Sequence, residues 1–230
     1  MSSIPCIFLP GLDGAADLMV CEFGDLSPDG YSLLPVSLPD DPSLNYDGLC
    51  DHVGNFLNQA GACEPFQIIA ESFSGPLAIL LAHRYPQQVR GLTLVATFAA
   101  SPAPWFARYL PWNLIFRREL PDFVARYFFG ADPNLAKRLR ESIRFSSPET
   151  LLRRIQCILN VDVTEELSEL KCPIDYIRPI HDRLVQKQSL STIVASNPNV
   201  NVHEIAGSHL IIQTQPQQVW DCIRNAEDIH

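Results

Sequence analysis

Two serines, Ser72 and Ser74, stand where an unbroken apolar run gives way to a cluster of small residues, in the stretch IIAESFSGPLAIL at 68–80. A serine hydroxyl is a poor nucleophile at neutral pH, so chemistry here requires an imidazole within hydrogen-bond reach and a carboxylate to orient it. A strand that turns abruptly into a helix strains its joint residue and crowds the positions two before and two after, where only small side chains fit. With Ser72 at the joint, Ala70, Ser74 and Gly75 are all small; with Ser74 there, Pro76 would occupy a crowded position. Pro76 fits better in the first helical turn, where a missing N–H costs nothing. Ser72 is therefore expected at the tip, and the plainer alternative is a pair of serines capping a helix. Of the histidines, His52 and His83 fall on helix-like segments, His203 inside a strand and His230 at the terminus, which suits surface or packing roles. His181 and His209 remain as candidate bases.

The elements that must position these groups follow from hydrophobic pattern. IPCIFLPG (4–11) reads as a buried strand ending in a tight turn, and YSLLPVSLP (31–39) as a second strand weakened by Pro35. Apolar residues at three- and four-residue intervals from Leu49 to Ala60 predict a helix. FQIIAES (66–72) reads as a strand, PLAILLAHRY (76–85) as a helix and VRGLTLVATF (89–98) as a strand. The alternation resumes with a strand at IDYIRPI (174–180), a helix near 186–196, a strand at NVNVHEIA (199–206) and a closing helix near 216–226. Such alternation predicts an α/β chain with a mostly parallel central sheet and helices on both faces. Between 101 and 165 there is no good strand, only helix-like patches broken by prolines and crowded with aromatics, so this stretch is expected to be a helical insertion.

AESFSG resembles the G-x-S-x-G nucleophile elbow of the α/β-hydrolase superfamily, with Ala70 and Ser74 in place of the outer glycines. The resemblance implies a helical lid at 101–165 over a core formed by 1–100 and 166–230. It also implies a Ser, acid, His order along the chain. CPIDYIRPIHDRLV (172–185) resembles the family's acid segment and makes Asp182 the acid, although Pro179 stands where that turn usually has Gly. EIAGSHLIIQTQPQQVW (204–220) resembles the histidine segment and makes His209 the base; His181, preceding Asp182, violates the order. By the same match the oxyanion donors are the backbone N–H groups of Phe73, after the nucleophile, and of Leu12, in LPGLDGAADLM, where Pro10 replaces the usual His. Asp162 is the rival acid, and Glu71 is expected to position rather than react.

Composition narrows the class. With 230 residues, 47% hydrophobic and 19% charged, the chain suits one substantial core. A net charge of −9 argues against a nucleic-acid binder. Within 101–160, ten basic and five acidic side chains give +5, leaving −14 for the remainder. The seven cysteines show no C-x-x-C pair or zinc-type spacing and are expected as free thiols in a reducing compartment. The first residues lack a basic leader, and no apolar run is long enough to span a membrane, so a cytoplasmic location is expected.

The expected function is hydrolysis of a small-molecule carboxylic ester with an apolar acyl group, through an acyl-enzyme, with neither metal nor organic cofactor. The alternatives are an acyltransferase or thioesterase with the same triad, or a ligand receptor on a hydrolase scaffold. Trp105, Phe106, Tyr109, Trp112, Phe116, Phe123, Tyr127, Phe128 and Phe129 are expected to form the lid's own core, with a few lining the acyl pocket. A net-positive lid would attract a substrate with an anionic handle or a carrier-linked acyl chain, although solvated helix surface is the plainer reading of those arginines.

Overall fold

In the computed structural model, residues 4–23, 31–59, 65–104 and 122–227 are described. Six strands, β1 (Ile4–Leu9), β2 (Tyr31–Pro35), β3 (Phe66–Glu71), β4 (Val89–Val95), β5 (Ile174–Pro179) and β6 (Val200–Ile205), form one wholly parallel sheet in the order β2-β1-β3-β4-β5-β6. All six lie within the stretches expected to be strands. Pro35 does not break β2, because it is the last residue of an edge strand, where its missing donor has no neighbour to serve.

Helices α1 (Asp17–Phe23), α2 (Tyr46–Gln59), α3 (Ser74–Arg84), α4 (Asp122–Phe129), α5 (Pro133–Ile143), α6 (Pro148–Asn160), α7 (Thr164–Glu169), α8 (Lys187–Ser196), α9 (Ile211–Thr214) and α10 (Pro216–Glu227) complete the described chain. Strand side chains alternate between two cores. Ile7, Leu9, Ile68, Ala70, Leu92, Leu94, Ile174 and Tyr176 pack with residues of α2, α3, α7 and α8 on one face. Cys6, Phe8, Ile69, Val95 and Ile177 pack with α9 and α10 on the other, around the buried Trp220. This two-sided burial is why the inner strands read as nearly continuous apolar runs, while β6, at an edge, alternates.

The segment between β4 and β5 leaves and rejoins the core at a narrow neck. Ala100 and Asp162 form an antiparallel bridge, with Ser101 N–H donating to Val161 O (3.0 Å) and Val163 N–H to Ala99 O (2.9 Å). Beyond this bridge α7 packs against α3 and α8. Between the ends of the neck, α4, α5 and α6 are the described elements. Asp132 caps α5 and Ser147 caps α6, each accepting from a backbone N–H in the first turn and each followed by a proline. Leu135, Ala136 and Leu139 of α5 join Ala125, Ala131, Leu18 of α1 and Leu210 in a third small core. Trp105, Phe106, Tyr109, Trp112 and Phe116 lie outside the described residues.

Candidate active site

The sheet reverses its winding between β1 and β3, since β1 has β2 on one side and β3 on the other. The connections that leave the carboxyl ends of two such strands run in opposite directions and leave a crevice, the usual place for a ligand in an open α/β sheet. The loop Pro10–Gly14 follows β1 and Ser72 follows β3, so both line that crevice.

Ser72 occupies the strained joint expected of it, with φ of 51°. Three bonds hold it there: its N–H donates to Val95 O (2.9 Å), while its carbonyl accepts from Gly75 N–H (3.1 Å) and from the Thr97 hydroxyl. Gly75 is required because a Cβ there would lie 2.0 Å from Thr97 Oγ1. The turn leads directly into α3, which begins at Ser74 with Pro76 in its first turn. Ser74 is wholly buried, and its hydroxyl donates to Pro10 O.

His209 and Asp182 arrive from the far side of the sheet. Asp182 follows β5 in a turn closed by its own N–H on Pro179 O (3.2 Å), and His181 N–H donates to Gly207 O (3.0 Å), which joins the acid loop to the histidine loop. Pro179 is harmless in this turn because its carbonyl, not its absent N–H, is used. Asp182 Oδ1 accepts from the N–H groups of Leu184 (2.8 Å) and Val185 (2.9 Å). Its Oδ2 lies 2.8 Å from His209 Nδ1, and His209 Nε2 lies 2.9 Å from Ser72 Oγ. Side-chain exposure is 5% for His209 and 1% for Asp182, so the pair is removed from water. Burial alone would depress the imidazole pKa; the hydrogen bond to Asp182, its charge and that of Glu71 outweigh this and raise it.

Of the two residues named as oxyanion donors, Phe73 directly follows Ser72, and Leu12 follows Gly11, at which a Cβ would lie 4.0 Å from Ser72 Cβ. The Phe73 ring is buried and stacked on Tyr46 (centroids 5.0 Å), whose hydroxyl donates to Phe73 O (2.9 Å). Leu12 lies in a turn closed by Gly14 N–H on Gly11 O (3.1 Å), with Gly14 at φ of 78°.

Other candidates fall elsewhere. Asp162 is exposed, and its Oδ1 accepts from the Thr164 N–H (3.1 Å) and the Thr164 hydroxyl (2.7 Å) just before α7. His181 is exposed, His83 pairs with Glu169 at the surface (2.7 Å) and His203 pairs with Asp175 (2.7 Å). Glu71 is buried beside the site, with Oε2 3.3 Å from Gln213 Nε2, and burial lifts its pKa to about 7.

Sequence reasoning missed three features: the tether from Ser74, the burial of Asp13 and the burial of Arg154. Arg154 carried a readable signal, since it lies three residues after Leu151 and three before Cys157, on the stripe that α6 buries. The insertion also reaches the site directly. The Phe129 ring meets the His209 ring edge to face (centroids 6.0 Å, 71°), and Arg183 beside Asp182 donates to Tyr127 O (2.8 Å). Among the described residues, no group of His, Cys, Asp and Glu could hold a metal ion, and no helix is long and apolar enough to cross a membrane.

No family model matches the chain. A curated relative, the biotin biosynthesis bifunctional protein BioHC of Cellvibrio japonicus (strain Ueda107), is 25% identical over 94% of this chain; the chain spans 44% of that protein's length. The enol-lactonase of Burkholderia xenovorans LB400 superposes with a TM-score of 0.84 at 17% identity, covering 99% of this chain and 92% of that one. A thermophilic esterase from Thermogutta terrifontis superposes with a TM-score of 0.81 at 18% identity, covering 97% and 89%. With its strand order, serine elbow and helices on both faces, the chain has the α/β-hydrolase fold.

Proposed function

We propose that the chain is a serine hydrolase that cleaves small-molecule carboxylic esters through an acyl-enzyme intermediate. The observation that carries this reading is the imidazole of His209, which spans from Asp182 to the hydroxyl of a serine held at positive φ. With its Nδ1 proton donated to Asp182, His209 presents a lone pair at Nε2 to the Ser72 O–H. Ser72 Oγ attacks the acyl carbon as its proton passes to Nε2. The carbonyl oxygen becomes an oxyanion within reach of the Leu12 and Phe73 N–H groups, at the amino end of α3, whose dipole favours negative charge. The tetrahedral intermediate then collapses, and the leaving alcohol takes the proton from His209. Water, activated by the same imidazole, attacks the acyl-serine and releases the acid. None of these steps calls for a metal or organic cofactor.

The insertion serves as the lid in this reading, because Phe129 and Gly130 already abut the histidine loop. A Cβ on Gly130 would lie 2.2 Å from Ser208 Oγ. Several of its described cations already have partners: Arg138 pairs with Glu22 (2.6 Å) and Arg140 with Asp122 (2.5 Å), while Arg153 donates to Leu44 O (3.1 Å) and Arg154 to Leu12 O (2.8 Å). That favours a neutral ester over one bearing an anionic handle. Hydrolysis of a neutral short-chain ester and its anionic analogue, compared at low and high salt, is expected to show no salt-sensitive preference. Six free cysteines among the described residues fit a reducing, cytoplasmic setting.

The decisive experiment is labelling with a fluorophosphonate followed by peptide mapping. Label is expected on Ser72 alone and none on Ser72→Ala, with ester turnover lowered by about 10⁴-fold or more in the variant. Label on another residue, or wild-type turnover by Ser72→Ala, would overturn the proposal.

A further inference from the structure

The insertion does more at this site than roof it. Arg154 of α6 is 2% exposed, and its guanidinium is spent almost entirely on backbone carbonyls. Nη1 donates to Leu12 O (2.8 Å) and to Ser146 Oγ (2.9 Å), while Nη2 donates to Pro39 O (3.0 Å) and reaches Leu38 O (3.5 Å). Ser146 in turn donates to Asp13 O (2.8 Å), and the Ser142 hydroxyl donates to Asp13 Oδ2. Three side chains of the insertion therefore hold two consecutive carbonyls and one carboxylate of the loop after β1.

The contact is close as well as polar. A Cβ on Gly14 would lie 2.3 Å from Arg154 Nη1, so the loop approaches the guanidinium as only glycine allows. Arg154 also stands over the Phe73 ring, 6.0 Å from its centroid, and so touches both residues named as oxyanion donors.

Planarity converts these contacts into a direction for the Leu12 N–H. In a trans peptide the N–H points opposite the C=O of the same unit. Gly11 O is engaged by Gly14 N–H (3.1 Å), so the Leu12 N–H of that unit points away from the turn. The next unit is fixed by Arg154 on Leu12 O. Flipping the Gly11–Leu12 peptide unit would break the bond from Gly14 N–H to Gly11 O and strain the bond from Arg154.

We infer that Arg154, supported by Ser146, is a positioning residue that aims the Leu12 N–H at the developing oxyanion, so that the insertion completes the oxyanion hole. This rests on the hydrolase reading above and specifies how one part of that site is built.

The test compares Arg154→Met and Ser146→Ala with the wild-type chain in three measurements: ester kinetics, inhibition by a trifluoromethyl ketone that forms a tetrahedral oxyanion adduct, and binding of a neutral amide of the same shape. Arg154→Met is expected to lower kcat by about 10- to 100-fold with little change in KM, a loss on the scale of one misplaced oxyanion donor. Ketone inhibition should weaken in parallel while amide binding stays unchanged. Ser146→Ala removes one support of the clamp and should show the same pattern at about 3- to 10-fold, which decides the matter if Arg154→Met does not fold. A loss confined to KM, equal weakening of ketone and amide, or wild-type kcat in a folded variant would overturn the inference. An inactive Ser72→Ala alongside any of those results leaves the hydrolase reading standing, whereas an active Ser72→Ala removes both.

Discussion

The hydroxyl of Ser74 donates to the carbonyl oxygen of Pro10, 64 positions earlier, and ties the first turn of α3 to the loop beyond β1. Where the elbow motif has glycine, this chain has a side chain that joins the loop bearing Leu12 to the helix that follows Phe73. Ser74→Ala is expected to leave the buried Pro10 carbonyl unpartnered, at about 1–2 kcal/mol. In a chain of this size that lowers the melting temperature by about 3–6 °C, measurable by calorimetry. Turnover should fall several-fold, and an unchanged Tm would show that the bond contributes nothing.

Asp182→Asn separates geometry from charge. Because Oδ1 receives two backbone N–H groups, the amide oxygen of an asparagine must take that position, leaving its NH₂ facing His209 Nδ1. The imidazole proton is then driven to Nε2, the nitrogen that should accept from Ser72. A loss of about 10⁴-fold in kcat is expected, with melting temperature little changed. Steady-state kinetics on the purified variant checks this, and a loss under tenfold would argue that Asp182 does not set the tautomer.

Glu71 should make the chain pH-sensitive. Burial raises its pKa to about 7 in the folded state, against about 4.5 unfolded, so its ionisation disfavours the native state. The sign follows from proton binding: between those two values the folded chain holds the extra proton, and stability falls as pH rises until the penalty is complete above about 7. Glu71→Gln removes the penalty and is expected to stabilise the chain at pH 8 by on the order of 3 kcal/mol, and very little at pH 4.5. Denaturant melts at the two pH values measure the difference. The same change removes a negative charge that raises the His209 pKa, so the acidic limb of the kcat/KM profile should move to lower pH.

His203 makes the opposite contribution. Its hydrogen bond to Asp175, aided by Cys222 and outweighing burial, lifts its pKa to about 10. The bond stabilises the folded state fully below the unfolded value of about 6.5, and this contribution declines from there until it is lost as pH passes about 10. His203→Gln should therefore be destabilising at pH 6 and close to neutral at pH 10.5. A stability difference that does not vary over that range would remove the pair as its cause.

The inner strands β1, β3, β4 and β5 were legible because they are largely buried on both faces, whereas the edge strands β2 and β6 are only partly buried and were read from the turns that bound them. The short α1 was not legible, since Asp17–Phe23 offers barely two turns and its Leu18 joins a cluster of residues far along the chain, from Ala125 to Leu210. At the site, small neighbours identified Ser72, because steric crowding at an elbow leaves a local trace. Asp182 and His209 could be matched only by their order along the chain, and contact between them depends on loops that converge in space. The bonds from Arg154 to Leu12 and Pro39 left no local trace at all. A buried arginine on an apolar stripe announces that it has partners, but not which carbonyls they are.

The neck at Ala100 and Asp162 gives the chain a modular joint. Its two sides already lie hydrogen-bonded to each other, so everything between them could be exchanged for a segment from another protein of this fold without reshaping the sheet. Such a graft would change the roof and, with it, remove the cation that grips the loop after β1. A transplanted segment with no donor to the carbonyl of Leu12 is expected to cost kcat on the scale of Arg154→Met, and one that brings such a donor to regain that loss.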